Sequence, residues 1–161
     1  MAAMTLLDRQ REFTMHLIAG DPALNLKGLP LKSACAVTGN ATQENLVKAV
    51  TTGPKDHGSD GTLQWRLTRL DGPRGLKGWS KAKGLKWDTL RTQALFFLWE
   101  LRKDYPGLER DLRDSKKSLE TLTTNICNIY ERPNKKYAHI DKRISHARSV
   151  YMIMSKELKV T

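Results

Sequence analysis

Between residues 28 and 54 the chain carries a single acid, Glu44, set in the run Ala41-Thr42-Gln43-Glu44-Asn45-Leu46-Val47. Apolar surroundings disfavour the charged form of a carboxyl and raise its pKa. A glutamate sheltered in this way keeps its proton near neutral pH and can protonate the leaving oxygen of a glycosidic bond. An arbitrary glutamate near a helix end is more often a solvated surface residue. Glu44 therefore gains weight from its neighbourhood, not from its type.

An inverting hydrolase needs a second carboxylate, about 6.5–9.5 Å from the acid, to activate water. Asp56 and Asp60 lie in the polar stretch 51–61 (TTGPKDHGSDG), and either would serve. Both are equally ordinary turn residues. Without such a base the same glutamate would suit a cleavage in which an internal sugar hydroxyl attacks instead of water. Metal chemistry has little support. His57 stands alone in the polar stretch, His139 and His146 lack the i, i+4 spacing of a helical zinc site, and no cysteine cluster accompanies them. Cys35 and Cys127 fall within helical apolar patterns and read as buried thiols, not as a disulfide framework or a nucleophile. No cofactor or metal is expected.

A mostly helical chain must position these side chains. Leu6, Phe13, Leu17 and Ile18 fall near helical spacing, and Gly20-Asp21-Pro22 stops the pattern. Pro30 suits the first position of a second helix, with Leu31, Ala34, Cys35, Thr38 and Ala41 on one face. Gly39 in its middle costs about 1 kcal/mol relative to alanine, which points to close packing there. Glu44 lies at or just beyond the end of this helix. Helices are expected near 79–83, 88–104, 108–113, 119–130 and 137–156, with Asp88 and Ser115 as N-caps and Pro106 and Pro133 between helices. The expected architecture is mainly α: one domain over 1–161, with a short loop or β-hairpin near 50–65 walling a cleft.

The sequence has 28 lysines and arginines against 17 acids, a net charge of +11, so its partners are expected among polyanions. Nucleic acid, an anionic membrane surface and an anionic cell wall all qualify. No folded DNA-reading motif is visible, and the basic residues are spread from Lys27 to Lys159. Asp8, Arg9, Arg11 and Glu12 interrupt the apolar N-terminal stretch, so no signal peptide is read there.

The segment LPLKSACAVTGNATQEN followed by DGTLQWRLTRL resembles the phage tail lysozyme family, in which a helix runs into a Gly-Asn-x-x-x-Glu segment. A loop follows, then a Gly-x-x-Gln-Trp motif with a nearby arginine, and further helices. Here the pattern is Gly39-Asn40, Glu44, then Gly61-Thr62-Leu63-Gln64-Trp65 with Arg69 beyond. It continues through Trp87, Gln93, Phe96, Phe97, Glu100 and Leu101 to Tyr130-Glu131-Arg132-Pro133, Arg143-Ile144 and Ala147, so the resemblance covers roughly 10–153. It implies a lysozyme-like fold, with Glu44 as catalytic acid and Gln64 and Trp65 facing it across the cleft. Thr62, Gln64 and Trp65 would then bind substrate, the indole stacking on a sugar ring; for Trp65 a core position is an equal alternative. Tyr130 would approach Glu44 as a tyrosine does in related lytic transglycosylases. The chain departs from the pattern at Asn45-Leu46, where relatives have serine and glycine, and at Thr62, where many have an aliphatic residue.

The function this implies is a phage or prophage muramidase acting on peptidoglycan strands, as a monomer without specific nucleic-acid binding. It would be made in the host cytoplasm and reach the periplasm or wall by holin-type release, or be carried in a virion tail. Three alternatives stand beside it. They are a lytic transglycosylase on the same bond, an inactive tail component, and a basic helical nucleic-acid-binding protein, which accounts for the charge alone.

Overall fold

A computed structural model describes residues 5–43, 46, 59–60, 62–66, 68–114, 116–133 and 138–158. Helix α1 (Leu6–Ala19) begins at a capping box: the Thr5 hydroxyl accepts from the Asp8 N–H, and the Asp8 carboxylate accepts from the Thr5 N–H. Its buried face is Gln10, Phe13, Thr14 and Leu17, at helical spacing. Gly20 ends it with φ 59, a left-handed conformation that costs glycine little. A 3-10 turn (Pro22–Leu24) follows, capped by the Asp21 side chain and tied by an ion pair from Asp21 to Arg91.

Helix α2 (Leu31–Asn40) is buried on every face from Ser33 to Asn40, the mark of a helix packed all round by others. Pro30 is its N-cap, one place earlier than the expected first helical position. Small side chains suit this central place, and its polar groups find partners inside. Thr14 and Thr38 share a hydroxyl–hydroxyl bond of 2.6 Å between α1 and α2, and the Ser33 hydroxyl donates to the Leu112 carbonyl.

Strands β1 (Ser59–Asp60) and β2 (Trp65–Arg66) pair antiparallel, Ser59 with Arg66 and Asp60 with Trp65. Most of the loop or hairpin expected over 50–65 lies outside the described residues. The remaining elements are α3 (Thr68–Asp71), α4 (Leu76–Ala82), α5 (Leu90–Asp104), α6 (Pro106–Leu112), α7 (Leu119–Asn125), a π-helical turn (Ile126–Glu131) and α8 (Ile140–Glu157). The fold is mainly helical, as expected. Thr89 caps α5 and Ser118 caps α7; of the caps expected at Asp88 and Ser115, the first is displaced by one residue and the second lies outside the described residues. Pro106 is the first residue of α6, where its missing N–H costs nothing, not a spacer between helices.

One apolar cluster runs from Phe13 to Met154 and joins α1, α2, α5, α7 and α8. Both cysteines are buried free thiols, and burial pushes the Cys35 thiol up to about 12. Among the described residues no helix is long and apolar enough to cross a membrane, and no cluster of metal-ligating side chains occurs.

Candidate active site

The C-terminal end of α2 carries the chain toward residue 44, and three features fix that end. Gly39 faces α8: a Cβ there would lie 2.6 Å from the Ala147 Cβ and 2.6 Å from the Arg143 carbonyl oxygen. A glycine is what lets α2 and α8 approach this closely. Asn40, buried beside it, donates through Nδ2 to the carbonyls of Ala36 (2.9 Å) and Thr123 (3.0 Å). Its Oδ1 and backbone carbonyl accept from the Arg143 guanidinium at 3.1 and 3.2 Å. The same Arg143 Nη1 donates to Glu131 Oε2 at 2.6 Å. Arg143 thereby satisfies a helix-end carbonyl and a buried acid at once.

The next residues are tied across the chain. The Thr42 N–H donates to the Thr62 carbonyl at 2.7 Å, and the Thr62 N–H donates to Gln93 Oε1 at 2.8 Å. Gln43 donates through Nε2 to the Ala41 carbonyl and accepts from Gln10 through Oε1. Leu46, fully buried, donates its N–H to the Thr42 carbonyl at 3.1 Å. Residues 42–43 and 46 are thus fastened to α1, α2, the turn at Thr62 and, through Gln93, to α5.

Below that turn lies a buried polar knot. Glu100 on α5, 3% exposed, accepts at Oε1 from the Tyr130 hydroxyl (2.5 Å) and the Trp65 indole N–H (3.3 Å). Arg69 grips both its oxygens, Nη2 at 3.0 Å and Nε at 3.2 Å, and also donates to the Tyr130 carbonyl at 2.9 Å. The Trp65 N–H reaches the Tyr130 hydroxyl as well, at 2.7 Å. A forked guanidinium on a buried carboxylate, with hydroxyl and indole donors filling the remaining lone pairs, satisfies a group that would be strongly destabilising alone. Burial and the Glu100 charge push the Tyr130 phenol well above its ordinary range, so it stays a neutral donor. Within this π-helical turn Tyr130 turns to Glu100, while its neighbour Glu131 meets Arg143.

Of the acids expected to act, Glu44 and Asp56 lie outside the described residues, as does the side chain of Asp60. Thr62 is brought next to the segment leading to residue 44, but through its backbone; its side chain is fully buried. Trp65 is 1% exposed and packs edge-on against Phe96 at 5.5 Å. Tyr130 is fully buried against Phe97. All three side chains are buried: Trp65 takes the core position that stood as its equal alternative, and Thr62 and Tyr130 have no side-chain face open to solvent. Gln64 is half-buried and takes a left-handed φ of 57, immediately before β2. Asn40, Gln93, Glu100, Glu131 and Arg143 appeared in the sequence as parts of a pattern, without roles. Glu100 did carry a signal, as the sole acid within the apolar run 90–101.

A mainly helical body whose central helix ends in a cross-tied turn, opposite a short antiparallel pair, defines a lysozyme-like protein. The phage tail lysozyme family model matches residues 23–154, and the chain belongs to that family. Its activity is accordingly that of a peptidoglycan-cleaving hydrolase acting at the cell wall. No curated protein sequence matches the chain.

Proposed function

We propose that this single-domain protein is a muramidase that cuts the MurNAc–GlcNAc bond of peptidoglycan, with Glu44 as the general acid. The observation that carries the reading is the bracing of the residues around Glu44: the Thr42–Thr62 and Leu46–Thr42 bonds, and the Asn40–Arg143–Glu131 set behind them. Catalytic groups act best when their supporting backbone is preorganised. Family membership supplies the substrate class. Asp56 or Asp60 would hold the attacking water, and Gln64 would contact the N-acetyl or hydroxyl groups of the sugar. Glu44 would deliver its proton to the leaving oxygen as the bond to the anomeric carbon lengthens.

Purified protein is expected to release muropeptides with reducing ends from isolated sacculi, read by mass spectrometry. Glu44→Gln should lower that release by about 10²–10⁴-fold, the usual worth of a general acid, with an unchanged thermal melt. Anhydro ends would replace hydrolysis by transglycosylation, and full activity in the variant would remove Glu44 from the reaction.

A further inference from the structure

Gln93 stands on α5, fully buried, and neither the proton transfer nor the sugar contacts proposed above use it. Its Oε1 accepts from the Thr62 N–H at 2.8 Å, and its Nε2 donates to the Trp87 carbonyl at 3.3 Å. An amide supplies an acceptor and a donor together without bringing a charge inside. It pins the turn before β2 to the stretch that leads into α5.

The same residue of that turn is held on its other side. The Thr62 carbonyl accepts from the Thr42 N–H at 2.7 Å, in the segment that leads to Glu44. Gln93, Thr62 and Thr42 thus form one line of hydrogen bonds from the middle of the protein to the segment carrying the acid. The other end of the turn is fastened to α5 as well, since the Trp65 indole N–H donates to Glu100 at 3.3 Å. Gln93 and Glu100 lie about two helical turns apart on one face of α5, so one rigid helix holds both ends of 62–65. At Trp65 the hold is on a side chain. At Thr62 it is on the backbone, and that hold is the one that continues to Thr42. Water cannot stand in for the amide, because Gln93 is closed to solvent.

We propose that Gln93 is a positioning residue of the cutting reaction: through the Thr62 backbone it sets where the Glu44 segment stands against the turn at 62–65. It touches no sugar and moves no proton. The role rests on the muramidase reading and extends it to a side chain on α5. A shift of that segment misaligns the acid with the leaving oxygen, which slows the chemical step and leaves ground-state binding of the glycan in place.

Gln93→Met nearly keeps the side-chain volume and removes both hydrogen-bonding groups, so the Thr62 N–H loses its acceptor. Assayed on soluble uncrosslinked glycan strands, well below its melting temperature, it should lower kcat by about 10²-fold and leave KM within about twofold. Gln93→Glu restores the acceptor, and at pH 5, where burial keeps a carboxyl protonated, its O–H restores the donor. There kcat should return to within about threefold of the unsubstituted protein at the same pH. Ser33→Ala removes a buried hydrogen bond at the other end of α2 and should lower the melt without lowering kcat. The unsubstituted full-length protein gives a reading that depends on no variant: the Thr42 and Thr62 amides should exchange with deuterium as slowly as those of α5. An unchanged kcat in Gln93→Met, a loss that Gln93→Glu fails to restore, an equal loss in Ser33→Ala, or fast exchange at Thr42 and Thr62 would overturn the proposal. Failure of the muramidase reading shows separately, as no muropeptide release by the unsubstituted protein or full release by Glu44→Gln, and this role would fall with it.

Discussion

Burial pushes the Glu131 carboxyl up to about 8, against the pull of the Arg143 guanidinium 2.6 Å away and of Arg69. In the unfolded chain the same group titrates near 4.3. Between those values the folded protein holds a proton that the unfolded chain has lost. The resulting stabilisation is complete below about 4.3 and is lost as pH rises through about 8. Urea midpoints should therefore fall between pH 5 and pH 8, and Glu131→Gln should flatten that slope. An unchanged slope in the variant would assign the pH dependence to other groups. The residue scale is also where sequence and structure part most. Glu44 is conspicuous because it is a lone acid in an apolar stretch, a property any sequence displays. Trp65 and Tyr130 are conspicuous as large rings with polar tips, and that chemistry fits either a sugar or a core. The choice depends on Glu100, 35 and 30 residues away from them in sequence, whose carboxylate gives both tips a buried partner. No local pattern carries that pairing.

At the scale of elements, the contact between α2 and α8 governs how the chain reaches residue 44. Gly39→Ala sets two effects against each other. Alanine gains about 1 kcal/mol of helix propensity. Its Cβ, however, would sit 2.6 Å from the Ala147 Cβ and from a backbone oxygen of α8, and overpacking of this kind costs about 1–3 kcal/mol. The clash should win, because backbone cannot swing aside as a long side chain can. The difference, a net loss of up to about 2 kcal/mol, lowers Tm by up to about 8 °C in a chain of this size. Ala147→Gly removes one of the two close approaches while itself costing about 1 kcal/mol of helix propensity, so the double variant should lose less than the two single variants summed; scanning calorimetry of all three decides. Periodicity reveals α1 and α8 because their buried faces repeat at helical spacing, whereas α2 and α5, buried nearly all round, show as long runs of small or apolar residues. The short α3, by contrast, lies in a Gly/Pro-rich surrounding with one buried residue, Leu70, and leaves no periodic signal. The expected helix 119–130 is real but changes pitch at Ile126, where α becomes π. Hydrophobic spacing does not record that change of pitch, nor the partners Glu100 and Arg143 that Tyr130 and Glu131 find there.

For the whole molecule, the charge of +11 and the proton transfer proposed at Glu44 would act over different distances. Long-range attraction to an anionic wall acts through solvent and is screened over a Debye length, about 10 Å at 0.1 M salt and 3 Å at 1 M. On the muramidase reading, proton transfer from Glu44 would act within one hydrogen bond and be screened far less. Raising sodium chloride from 50 to 500 mM should slow hydrolysis of intact sacculi severalfold through weaker retention, read as a rise in apparent KM. The rate on a short, neutral soluble glycan should change little over the same range, because that substrate gains nothing from the field of the whole protein. Sedimentation of the Glu44→Gln protein with sacculi over the same salt series should track the loss on the polymer. If both substrates slow together while the thermal melt is constant, salt is acting on the cutting site itself, and the excess of lysine and arginine has no part in holding the enzyme to its wall.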